Sequence, residues 1–146
     1  MGASQKNIAY FHLPGLFEFL DLYRVFLPLF REHPEYFYDW CRIGSIYGAP
    51  ADCIWGGGRV GFGDGSAQEA LALTREYGIS ARLTFSNSLL EAEHLSDRRC
   101  NRLCSLFHTQ DGPQNGVIVH SDLLLNYLQA QYPGFYFVSS TTKVLT

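Results

Sequence analysis

This sequence predicts an α/β fold in which parallel strands alternate with helices, and three stretches carry that prediction. The stretch from Cys53 to Asn87 reads as strand, glycine-rich turn, helix, strand. Cys53-Ile54-Trp55 is a short apolar run, and Gly56, Gly57, Gly58, Gly61, Gly63 and Gly65 crowd the loop after it. Ala81 to Asn87 is the next strand. Strands joined through a helix in this way form a parallel pair, because parallel neighbours need a crossover connection, and that crossover is right-handed. The β-branched run Gly116 to His120 and the aromatic run Phe135 to Ser139 repeat the pattern downstream. Apolar strands alternating with helices predict a parallel sheet covered by helices.

The elements follow in order. Asn7 to Leu13 alternates weakly and reads as a strand, broken by Pro14-Gly15. Leu16 to Phe30 is apolar almost all round, which predicts a helix buried on every side, between a sheet and a partner surface. Pro28 kinks it or marks its end. The segment lacks the Lys/Arg face of a membrane-surface helix. Pro34 to Trp40 is aromatic, and Ile43 to Tyr47 is a strand ended by Gly48-Ala49-Pro50. Ser66 with Glu69 three residues on forms a capping-box pattern before an apolar run, and Gly78 fits a helix C-terminus. Ser96-Asp97 starts a helix through about Phe107, with Leu103, Cys104 and Phe107 on one side. Asp111-Gly112-Pro113 is a turn. Ser121 or Asp122 caps a helix from Leu123 to Gln131, ended by Pro133-Gly134.

Composition narrows the classes. The 146 residues make one domain, 1–146, with 47% hydrophobic and 15% aromatic residues, enough for a real core. A net charge of -3 gives no electrostatic footprint for nucleic acid. No apolar run is long enough to span a bilayer, and the N-terminus lacks a signal-peptide pattern, so the cytoplasm is the default compartment. Four cysteines in so apolar a chain do not form a secreted disulfide framework.

The strings ADCIWGGGR, EYGI, ARLTFSN and NGVIVHSDLLLNYLQAQYPGFYFVSST resemble the front half of the collagenase-like peptidase family. Its members show a strand ending in Gly-Gly, a helix ending in Gly, a strand ending in Asn, and a last strand ending in Ser-Thr. The resemblance covers about Ile43 to Thr142. It implies a partial, half TIM-type (β/α)-barrel. Several members of that family act in RNA base hydroxylation or quinone hydroxylation with an iron–sulfur cluster. The family's cluster cysteines lie beyond the point where this chain stops, so the resemblance carries over neither a cofactor nor those activities. A half-barrel leaves two open sheet edges. The expectation is self-association, pairing with a missing second half, or a gene product truncated at its C-terminus.

In a barrel the working groups follow the C-terminal ends of the strands. That rule selects Tyr47, Gly57, Gly58, Arg59, Asn87, Ser121 and the hydroxyl run Ser139 to Thr142. Arg59 follows three glycines that let a backbone approach a ligand and could clamp a carboxylate or phosphate, or simply pair with an acid such as Asp64. Asn87 either bonds a ligand or closes a turn. Ser139 to Thr142 more readily frays. His120-Ser121-Asp122 are neighbours in sequence, whereas a catalytic triad converges in space, so strand end and helix cap is the better reading. Cys100 and Cys104 lie one helical turn apart, without further residues at metal-site spacing, and read as buried thiols, as do Cys41 and Cys53. No metal site, cofactor or catalytic set is assigned. Two readings remain: a barrel-type domain binding a small anionic ligand at its strand ends, or a non-catalytic assembly module.

Overall fold

The computed structural model describes residues 7–57, 66–109, 111–141 and 143. Its sheet contains β1 (Ala9–Leu13), β2 (Cys41–Gly48), β3 (Ser80–Phe85), β4 (Gly116–Val119) and β5 (Tyr136–Ser139). Spatial order equals sequence order, and every neighbouring pair is parallel. The sheet curls into half of a barrel. Between the strands run α1 (Leu20–Glu32), α2 (Ala67–Glu76), α3 (Arg98–Phe107) and α4 (Asp122–Gln131).

The core lies between the helices and one face of the sheet. Ile46, Ala81, Leu83, Phe85, Val117 and Val119 alternate along the strands and are buried there, as a period of two requires. Leu27, Leu71, Phe107, Leu124 and Leu128 meet them from the helices. Asn115 holds the start of this layer. Its Oδ1 accepts from the Ala81 amide at 2.9 Å, and its Nδ2 donates to the Phe107 carbonyl at 2.9 Å.

Several local expectations hold. Asp97 caps α3, its carboxylate accepting from the Cys100 amide at 2.9 Å, and Ser121 caps α4 through the Leu124 amide at 3.2 Å. Gly78 closes α2 at φ +64. Its amide bonds Arg75 O, and the Ile79 amide bonds Thr74 O, the paired bonds of a Schellman ending.

Three expectations are corrected. Cys53-Ile54-Trp55 does not form a strand: Ile54–Gly56 is a 3-10 turn. The apolar run is there because Trp55 fills the core, with its indole nitrogen donating to His94 O at 2.9 Å. The strand before α2 is β2 itself. Ser66 stands at the N-cap of α2 without a side-chain cap bond, and Glu69 turns instead to Arg24 of α1 at 3.1 Å. Finally, α1 is buried on one side only. Leu20, Tyr23 and Leu27 face the core, the Tyr23 hydroxyl donating to the Pro14 carbonyl. Leu22 and Val25 stand 58% and 71% exposed, with no further layer of the described residues over them. Pro28 sits within the helix, and the helix runs on for one more turn.

Candidate functional site

The face of the sheet away from the helices is concave, and its polar groups converge across strands far apart in sequence. Arg82 of β3, Gly116 of β4 and Tyr136 of β5 lie side by side in the ladders. A Cβ on Gly116 would stand 2.3 Å from the Tyr136 ring. The missing side chain therefore leaves room for that ring to lie across β4. Its hydroxyl thereby reaches Arg82 Nε at 2.9 Å and Ser80 Oγ at 2.5 Å. Ser80 Oγ in turn donates to Gln114 O at 2.8 Å. The protons run one way, from the guanidinium through the phenol and the serine to a carbonyl, so each bond polarises the next. The guanidinium also stands 5.3 Å from the Tyr136 ring centroid.

The same device recurs at the other edge. A Cβ on Gly44 would meet His12 Cε1 at 2.6 Å. Gly44 is the extra residue of a bulge opposite Phe11 and His12, and it lets the imidazole lie across β2 to Ser45 Oγ at 2.7 Å. Burial, and then the charge of Arg82, hold the His12 pKa below its ordinary value of 6.5. His12 is thus biased to its neutral form, able to give or take a proton.

Tyr47 pairs with Arg82 in the β2–β3 ladder and joins this face. Thr84 follows Arg82 at strand period. It is 6% exposed, and its hydroxyl has no hydrogen-bond partner among the described residues. No carboxylate among the described residues forms an ion pair with Arg82. The arrangement offers a cation, a phenol, hydroxyls and a neutral imidazole on one concave wall. That donor set suits an oxyanion.

The strand-end residues selected from sequence separate into three groups. Gly57 (φ +87) ends the 3-10 turn, and Asn87 ties that turn to the end of β3. The Asn87 amide donates to Trp55 O at 3.1 Å, its Nδ2 to Ile54 O at 2.9 Å, and its Oδ1 accepts from Leu89 N at 2.9 Å. Ser121 lies beside a cleft of about 270 Å³ at the ends of β4 and β5. That cleft is also lined by Ser139 and by Lys143, which pairs with Asp122. Tyr47, Gly57 and Asn87 do not line it. Gly58 and Arg59 lie outside the described residues.

Sequence reasoning missed Arg82, Tyr136, Ser80, His12 and Ser45. Two signals were present: a charged residue inside an otherwise apolar strand, and glycines within β2 and β4, which mark a close approach. Among the described residues no three His, Cys, Asp or Glu side chains are grouped to hold a metal ion. No described helix is long and apolar enough to cross a membrane. No protein-family profile, curated protein or solved structure matches this chain.

Proposed function

We propose that this chain is a half-barrel binding domain that holds a small anion, a carboxylate or a phosphate, against Arg82 on its concave face, with a second half-barrel closing over the ligand. One observation carries the reading. Tyr136 fixes the Arg82 guanidinium at Nε on the concave wall, and no described carboxylate neutralises it. A fixed, unneutralised guanidinium presents its remaining donors to a ligand with little ordering cost. Neutral His12 and the Tyr47 phenol stand on the same wall to recognise the rest of the molecule. The likeness of residues 43–142 to the front half of the collagenase-like peptidases accords with a domain that needs a second half.

Calorimetric titration with inorganic phosphate and with succinate tests the site. Saturable binding of at least one is expected, weakened about tenfold or more in Arg82→Gln, in line with the loss of a charge-assisted hydrogen bond. Gly116→Ala, which pushes the Tyr136 ring aside, weakens it too. Absence of binding in the unaltered protein, or equal affinity in Arg82→Gln, rejects the reading.

A second reading, an assembly module, is favoured by the apolar side chains along and beside the β1 edge. Tyr10 is 63% exposed and Tyr38 is 72% exposed, and Ile8, Phe11 and Trp40 stand open beside them. A patch of this kind marks a protein contact.

A further inference from the structure

The two buried thiols that sequence reasoning treated as core lie against each other. Cys53 Sγ and Cys100 Sγ are 3.2 Å apart, both are free, and they come from segments 47 residues apart. Their sequence neighbours are also joined, Asp52 Oδ2 accepting from Arg99 Nη1 at 2.6 Å. Two successive cross-contacts hold the turn before Ile54 and the first turn of α3 in register. Cys100 is fixed further by its amide bond to Asp97. A cleft of about 710 Å³ between this turn and the α2 and α3 helices has Cys53 in its wall, with Arg99 and Arg102 beside it. Of the two thiol residues, Cys53 is the one that lines this cleft.

We propose that Cys53 and Cys100 are a two-electron redox pair that a hydroperoxide converts to a disulfide. The Cys53 thiolate attacks the terminal oxygen of the hydroperoxide. The O–O bond breaks, an S–O bond forms, and the departing alkoxide or hydroxide takes up a proton. Cys53 is then a sulfenic acid. Cys100 loses its proton, and its sulfur displaces the hydroxyl from Cys53. An S–S bond forms and water leaves. Two electrons pass from the thiols to the peroxide, and no further reactant is needed. The Asp52–Arg99 contact keeps the attacking sulfur aligned while the second step proceeds. Support for the first step comes from the Cys100 S–H and the Trp55 and Gly56 amides, which hold the Cys53 pKa below its ordinary value. The hydrogen bond with Cys53, and then burial, push Cys100 up, so Cys53 is the sulfur that reacts first. Cys104, one turn along α3, is also pushed up by burial and serves as an internal control.

The test treats the full chain with hydrogen peroxide, blocks remaining thiols with iodoacetamide, and maps peptides without reduction. The expected product is one linked pair, Cys53 to Cys100, lighter by two hydrogens and reversed by dithiothreitol. Unfolding on oxidation should shift upward by several degrees, because the link closes a long loop of the unfolded chain. In Cys100→Ser the expected product is Cys53 sulfenic acid, trapped by dimedone. Should that variant fail to fold, dimedone trapping in the unaltered protein at short times gives the same reading. The proposal is overturned if Cys53 and Cys100 stay reduced while Cys41 oxidises, or if the link joins Cys53 to Cys104.

Discussion

Asn115 and Thr84 are both buried polar side chains, and removing them should have opposite effects. Asn115 satisfies the Ala81 amide and shares the Phe107 carbonyl with the Thr109 amide, so Asn115→Ala leaves the buried Ala81 amide without a partner and should cost about 2 kcal/mol. The Thr84 hydroxyl has no partner among the described residues. Thr84→Val keeps the shape and removes that burden, and should add about 1 kcal/mol. Urea unfolding of the two variants measures both signs. At His12 the consequence is one of pH. Its folded pKa lies below 6.5, so between the folded value and 6.5 the unfolded chain binds the extra proton more readily. This contribution to stability is complete above 6.5 and is lost as pH falls through that window. The imidazole proton shift should titrate below 6.5 in the unaltered protein and closer to it in Arg82→Gln. The same midpoint in Arg82→Gln as in the unaltered protein would show that Arg82 does not act on His12. None of these pairings was legible in the sequence. Positions 12, 45, 80, 82 and 136 meet only through strand register and two glycines, whereas Tyr47 was legible because a strand end can be located locally.

Most of the elements could be read from the chain, and the one false strand shows why. Gly116 to Val119 and Ser80 to Phe85 carry the apolar runs of central parallel strands. Cys53 to Trp55 carries the same composition over three residues, with glycines after it, and there one tryptophan filling the core imitates a strand. Asp97 and Ser121 cap α3 and α4 as read, whereas Ser66 makes no side-chain bond at the start of α2. Asp97 is the clearest case. The Cys100 amide holds its carboxyl below the ordinary carboxylate range, so its contribution is present above pH 3.8 and is lost as pH falls through the folded value. Asp97→Ala should cost about 1 kcal/mol near neutral pH, and the difference from the unaltered protein should vanish in acid. Thermal melts at pH 7 and pH 2.5 check this.

At the scale of the whole molecule, the half-barrel form matches what the alternating pattern led one to expect, with β1 lying inside the stretch from Asn7 to Leu13 that reads as a strand. Within the described chain, β1 and β5 each pair on one side only. The proposed closing half would meet both edges. Light scattering should give a mass above one chain at micromolar concentration, and Tyr10→Lys should return it to one. A single-chain mass for the unaltered protein with a sharp melt would leave the closing half to a different polypeptide.

Because spatial order copies sequence order, no strand has to be inserted between two that are already in place. Each new strand is added at the growing margin of the sheet, on a template complete before its own residues emerge from the ribosome. The architecture can therefore assemble vectorially during synthesis, each helix sealing its segment before the next is made.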